Sequence, residues 1–273
     1  MKSMAILVVA VSLAACGGTA MNASNNPVNA VISNASPLPA TTSVQTVTID
    51  SPDGVKLVGS FFASNKPNSP AVLLLHQWGS DRHSYDDFAK RMQSVGFAVL
   101  SIDGRGFGES TKKADGSTAT AGRTDADVKA MLGDVGAAFT FLSKQLNVDP
   151  KHVGVVGASY GSSLAIIYAA GDPNVAAVAL LSPGLNYFGN VQTKPAIEKY
   201  GPKRPLILVA AKDDPDSADS VEKLSKANSD PNAAVSVEIF ENGGHGTALL
   251  KVGLDKRLEK WLIDTLVNSP ENK

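Results

Sequence analysis

The chain has 273 residues, 43% hydrophobic and 19% charged, enough apolar material to bury one sizeable core. Its 25 basic and 26 acidic residues leave a formal net charge of -1. No long-range field favours a nucleic acid or an anionic membrane surface, so polyanion binding is excluded as the expected primary role.

In chain order, Met1-Lys2 is a short basic start and Met4 to Leu13 an almost unbroken apolar run. A membrane span needs roughly 20 apolar residues, so the run reads as the core of a signal peptide. Leu13-Ala14-Ala15-Cys16 follows, and Cys16 is the only cysteine. This stretch resembles a bacterial lipobox. The resemblance implies cleavage before Cys16, lipidation of its thiol and anchoring to a membrane. With Gly17 rather than an aspartate next, it implies sorting to the outer membrane, with the protein on its periplasmic or surface face. The expected organisation is a signal peptide over 1–15, the lipidated cysteine and a flexible tether over 16–43, and one domain over 44–268. The tether is rich in Asn, Ser, Ala, Pro and Thr with scarcely a charge, too little apolar surface to offset its ordering entropy.

The domain alternates strand and helix signals. Val44 to Ile49 and Val55 to Phe62 alternate about Pro52-Asp53-Gly54, an antiparallel hairpin. Continuous apolar runs, the pattern of strands buried on both faces, are Ala71 to Leu75, Ala98 to Ile102, Val153 to Val156, Ala176 to Leu181, Leu206 to Ala210 and Val235 to Phe240. Helix-period segments separate or follow them at Asp86 to Val95, Thr124 to Leu146, Gly161 to Ala170, Ser217 to Asn228 and Thr247 to Val267. This order predicts one α/β domain with a mostly parallel, doubly wound sheet and an opening antiparallel hairpin.

Functional residues of such sheets collect at the carboxyl ends of the strands. Those ends carry His76-Gln77-Trp78-Gly79, Asp103-Gly104-Arg105-Gly106, Gly157-Ala158-Ser159-Tyr160-Gly161, Ser182-Pro183-Gly184, Lys212-Asp213-Asp214-Pro215 and Gly243-Gly244-His245-Gly246. A serine, an acid and a histidine each close a different strand, in that order. An isolated G-x-S-x-G is common by chance and by itself marks no more than a tight turn. Between a buried strand and a helix, with both partners downstream, it resembles the nucleophile elbow of the α/β-hydrolase superfamily.

The resemblance covers about Val44 to Val267 and implies an α/β-hydrolase fold with Ser159 as nucleophile. His245 is the expected base, since a serine hydroxyl is a poor nucleophile without one. The carboxylate that fixes its tautomer is Asp214 or Asp213, with Asp214 favoured by its distance from the strand end. By resemblance the oxyanion donors are the backbone N–H groups of Trp78 and Tyr160. Gln77 departs from the frequent H-G-x-G of the superfamily, and its side chain is a candidate to face substrate. His76 reads as a buttress of that loop, and Arg105 and Asp103 as ties between loops.

His83 and His152 read as a helix start and a strand lead-in, and none of the four histidines has ligand spacing with carboxylates, so no metal is expected, and no phosphate or dinucleotide loop implies a cofactor. A serine nucleophile argues against relatives that use aspartate for dehalogenation or cysteine for lactone opening. The expected reaction is hydrolysis of a carboxylic ester or a related acyl bond of a small-molecule or acylated substrate. A peptidase of the same fold and a non-catalytic envelope lipoprotein are the alternatives. Between Leu181 and Leu206 there is room for a loop and one short helix around Ala196 to Tyr200, a minimal lid. Tyr187 and Phe188 there are candidates for substrate contact, or for packing on the core.

Overall fold

The computed structural model describes residues 43–227 and 230–268. The predicted signal peptide, Cys16 and almost all of the tether lie outside the described residues. The elements, in order, are β1 (Val44–Asp50), β2 (Val55–Phe62), β3 (Ser69–Leu75), a short 3-10 helix (Arg82–Tyr85), α1 (Asp86–Ser94), β4 (Ala98–Ile102), β5 (Lys112–Lys113) and α2 (Asp125–Ser143). They continue with β6 (Val148–Ala158), α3 (Tyr160–Gly171), β7 (Ala177–Leu181), β8 (Asn186–Tyr187), β9 (Val191–Gln192), α4 (Thr193–Tyr200) and β10 (Leu206–Ala211). Last come α5 (Pro215–Ser225), β11 (Val235–Phe240), a second 3-10 helix (Gly246–Val252) and α6 (Leu254–Leu266).

The main sheet runs β1-β2-β4-β3-β6-β7-β10-β11, with β5 beside β2. β1 and β2 form the expected antiparallel hairpin and β2 meets β4 antiparallel; from β4 to β11 neighbours are parallel. Each central strand divides its side chains between two cores. Leu73, Leu75, Val153 and Val155 face α2, α3, α4 and α5, whereas Val72, Leu74, Val156 and Ala158 face α1 and α6. This two-sided burial makes the strands read as unbroken apolar runs, and each fully buried Val or Leu contributes about 1.5–3 kcal/mol. α2 begins at a capping box in which Thr124 and Asp127 satisfy each other's backbone N–H.

Four expectations need correction. β11 is an edge strand, not one buried on both faces: Val237 and Ile239 are 45% and 42% exposed. Its apolar run is a property of the residues alone, and among the described residues no strand pairs with its outer edge. The single helix expected over Thr247 to Val267 is two, because Gly253 takes φ +102° and breaks the ladder between a 3-10 turn and α6. β6 begins at Val148, ahead of the expected Val153, because Val148 pairs with Ser69 beyond a register shift. The helix expected from Ser217 begins earlier, at Pro215, where proline is pre-set for the first helical position. Its expected end, Asn228, lies outside the described residues.

Asp103 and Arg105 sit in the loop after β4 and tie loops together, as read from the sequence, each with its own partner. Asp103 pairs with the buried Arg82, which also reaches Glu109. Arg105 forms a fork to Asp134 of α2, at 2.7 and 2.6 Å, and to Asp53 in the β1–β2 turn at 2.6 Å. Asp134 also accepts from Ser51 at 2.5 Å, so hairpin, loop and helix are joined through one guanidinium.

Candidate active site

At the end of β6 the chain turns into α3 within one residue. Ser159 holds that turn at φ 52°, ψ −121°, a sparsely populated conformation for a residue with a side chain. The flanking glycines are required by contact as well as by conformation. A Cβ on Gly157 would meet the Gly161 carbonyl and lie 2.7 Å from Ser162 Cα. One on Gly161 would lie 2.5 Å from the His76 oxygen. The turn therefore packs α3 directly against β3 and the loop after it. The Ser159 N–H donates to the Leu181 carbonyl at 2.7 Å and its carbonyl accepts from the Ser162 N–H at 2.9 Å, so both backbone groups are satisfied away from the hydroxyl.

His245 follows β11 on the glycine-rich loop, and its Nε2 lies 2.6 Å from Ser159 Oγ. Its Nδ1 is 2.7 Å from Asp214 Oδ2. Serine, imidazole and carboxylate thus stand in one hydrogen-bonded line, in the order expected from sequence. Burial works against the Asp214 charge, but hydrogen bonds from Ser217, His245 and Ser182 outweigh it and hold the carboxyl below its ordinary value. It is the ionised partner that a positively charged imidazole needs.

Asp213 is turned elsewhere. Its carboxylate accepts from the N–H groups of Gly243 and Gly244 at 3.0 to 3.2 Å. It is an exposed loop residue that clamps the base of the histidine loop. Ser182, at the end of β7, accepts from the Gly246 N–H at 2.9 Å and holds the other side of that loop. Ser217 lies 3.5 Å from His245 Nδ1. Sequence reasoning assigned neither serine a part, although Ser182 stands among the strand-end residues.

The loop after β3 brings Trp78 beside Tyr160. No hydrogen bond to the backbone N–H of either residue occurs among the described residues, so both donors are available. His76 supports this loop as expected. Its Nε2 accepts from the Gly104 N–H at 2.9 Å, so Nδ1 carries the hydrogen and donates to the Gln77 carbonyl at 2.8 Å. Burial pushes the His76 imidazole below its ordinary pKa and keeps it neutral. Gln77 is occupied too: its Oε1 accepts from the N–H and hydroxyl of Thr247 at 3.2 and 3.1 Å. It latches the loop after β3 to the one carrying His245.

The Trp78 indole is the centre of an aromatic wall, edge-to-face with Phe107, Tyr160 and Phe188 at centroid distances of 5.1, 5.1 and 5.0 Å. Arg123 covers the Phe188 ring at 4.4 Å. Behind Trp78 and Tyr160 lies a small apolar recess of about 40 Å³, walled by Leu75, Ile102, Met131, Val135 and Leu164. Tyr187 and Phe188 both pack in this wall, and the Tyr187 hydroxyl also reaches Ser159 Oγ at 3.3 Å. Of the two readings of that pair from sequence, packing is the one the rings display.

His83 pairs with Asp86 and His152 with Asp149, both outside this cluster. Among the described residues no group of three or more His, Cys, Asp or Glu side chains is placed to hold a metal ion. None of the described helices is long and apolar enough to cross a membrane.

A parallel sheet with an antiparallel opening, carrying Ser159 on a strained strand–helix turn and its partners on later strand ends, defines the α/β-hydrolase fold. Within it, residues 57–251 match the dienelactone hydrolase family, and the chain belongs to that family. The family is named for a lactone hydrolase, and the serine is set, in the sequence reading, against relatives that use cysteine for lactone opening.

An uncharacterized protein of Mycobacterium tuberculosis is 31% identical over 155 residues, covering 55% of this chain and 50% of its own. The thiohydrolase aneE of Aspergillus aculeatus is 30% identical over 132 residues, covering 48% of this chain and 39% of its own. The chain thus spans half or less of the length of these curated relatives. Among solved structures, the Pyrococcus furiosus esterase Pf2001 superposes with a TM-score of 0.65 at 17% identity, covering 86% of this chain and 98% of that one. That likeness concerns the fold.

Proposed function

We propose that the protein is a serine hydrolase that cleaves carboxylic esters or related acyl bonds through an acyl-enzyme on Ser159. The observation that carries this reading is the unbroken hydrogen-bonded line from Ser159 Oγ through His245 to Asp214. In the proposed reaction His245 Nε2 takes the Ser159 proton as Oγ bonds to the carbonyl carbon. The N–H groups of Trp78 and Tyr160 donate to the resulting oxyanion. His245 then passes its proton to the leaving oxygen, and Asp214 stabilises the imidazolium in between. Water attacks the acyl-enzyme with the same histidine as base, and Oγ leaves with its proton restored.

Support for acyl bonds as substrates comes from the family, the apolar recess beside the donors and the short lid. A thioester is the second substrate favoured by an observation, the likeness to a thiohydrolase. The test is a serine-directed phosphonate probe. It should label the wild type stoichiometrically and Ser159→Ala not at all, and an unlabelled wild type overturns the reading.

We further propose that Cys16 carries a lipid that anchors the domain to the bacterial envelope, with the outer membrane as its site. What supports this is the Leu13-Ala14-Ala15-Cys16 stretch after the apolar run. Cys16→Ser should move the protein from the membrane fraction to the soluble one, and unchanged membrane association defeats the proposal.

A further inference from the structure

The lid after β7 is pinned at both ends. Asn190 donates to the Arg123 carbonyl at 3.0 Å and to Asp125 at 2.9 Å, which fastens the lid to the start of α2. Thr193 donates to the Gly184 carbonyl at 2.6 Å and shares a hydrogen bond with Ser163 of α3. Between these anchors the Tyr187 ring lies against the Gly184 backbone, where an added Cβ would come within 2.8 Å of Cζ. Its far edge meets the Tyr160 ring at a centroid distance of 5.7 Å. A ring clamped on two sides in this way has its hydroxyl position decided for it, 3.3 Å from Ser159 Oγ.

The direction of that hydrogen bond follows from counting protons. Ser159 Oγ has one hydrogen, and His245 Nε2 at 2.6 Å is its acceptor, because Nδ1 donates to Asp214. Towards Tyr187 the serine oxygen can therefore only accept. The phenol is its donor, and burial raises the pKa of Tyr187 above that of an ordinary tyrosine and keeps the proton in place.

We propose that Tyr187 is a further catalytic residue, a hydrogen-bond donor to Ser159 Oγ whose main effect is on breakdown of the acyl-enzyme. This rests on the serine acyl-enzyme reading above. When the acyl-enzyme forms, Oγ is the attacking atom, and a donor aimed at it lowers its nucleophilicity. When the acyl-enzyme is hydrolysed, the Oγ–C bond breaks, its electron pair stays on Oγ, and the proton returns from the His245 imidazolium. A donor already aimed at Oγ stabilises that developing negative charge. Water supplies the hydroxyl that completes the acid product, so the step balances without another reactant.

The experiment is burst kinetics on a chromogenic p-nitrophenyl ester with the full chain. In Tyr187→Phe the ring and its packing stay while the donor goes, so deacylation should slow by about 10- to 100-fold, at or below the low end for loss of an oxyanion-hole donor because the bond is long at 3.3 Å. Acylation should be unchanged or faster, and the burst should rise towards one equivalent. Gly184→Ala, which presses on the ring without removing the hydroxyl, should slow deacylation by a smaller factor. Thermal unfolding of both variants checks that they are folded. Unchanged deacylation in Tyr187→Phe, or a change in KM alone, overturns the proposal and leaves the tyrosine as packing. Slowed acylation with deacylation intact overturns it as well. Phosphonate labelling of Ser159 in the same samples separates the two claims: labelled protein with unaltered kinetics sinks the Tyr187 role only, and unlabelled wild type sinks the acyl-enzyme itself.

Discussion

Gly161→Ala tests how the sequence builds the oxyanion site. The new Cβ would lie 2.5 Å from the His76 oxygen and 2.7 Å from the Leu75 oxygen. Both are backbone atoms, of the last residue of β3 and the one after it, three and two residues before Trp78. A comfortable non-bonded separation is about 3.5 Å, so the strand end and α3 must part by up to about 1 Å. Overpacking on that scale costs about 1–3 kcal/mol, and in a domain of this size each kcal/mol lowers Tm by about 2–4 °C. A reacting group misplaced by about 1 Å loses on the order of a hundredfold in rate. The expectation is therefore a folded protein with Tm down by a few degrees and kcat down by about a hundredfold. Circular dichroism melting and steady-state hydrolysis of a p-nitrophenyl ester measure the two. Gly171→Ala, at the end of the same helix with nothing within 4 Å of its added Cβ, is the control and should change neither. A Gly161→Ala variant with kcat within twofold of wild type would refute the link between this close approach and the donor geometry.

Asp214→Asn should lower kcat by about four orders of magnitude, because an amide leaves the imidazole without its ionised partner. Asp213→Asn keeps an oxygen towards the Gly243 and Gly244 N–H groups and should stay within about tenfold of wild type; the reverse order in an ester assay would exchange their assigned parts. Acid stability should report the Arg105 fork. The Arg105 hydrogen bond lowers the Asp53 pKa from its ordinary 3.8 to about 2. A group depressed on folding stabilises above its unfolded pKa and loses that contribution as pH falls through the folded one, here from 3.8 down to about 2. Asp53→Asn should flatten the fall of Tm across that window, and an unchanged slope would contradict the pairing.

The parts of this fold legible in the sequence are those that local pattern decides. β4 at Ala98–Ile102 matches its apolar run and β2 at Val55–Phe62 its alternating pattern because burial on a sheet face selects those residue types. The G-x-S-x-G turn was legible because steric crowding at Gly157 and Gly161 restricts the residue that can stand there. What local pattern cannot carry is which strand lies at the edge, and β11 reads the same whether covered or bare. The acid at the histidine was open for a related reason. Asp213 and Asp214 are adjacent in sequence, and only the position of Gly243 and Gly244 assigns one carboxylate to the loop and the other to His245. Gln77 read as a departure with a side chain free for substrate because its partner, Thr247, lies 170 residues on. Tyr187 was visible as an aromatic lid residue, but its reach to Ser159 depends on the path of the lid over α3.

The most direct test of the account is to stop turnover of a p-nitrophenyl ester in acid and weigh the intact protein and its peptides. The account predicts a mass increase equal to the acyl group, confined to the peptide containing Ser159 and absent from Ser159→Ala. An unmodified protein, with hydrolysis persisting in Ser159→Ala, would contradict it.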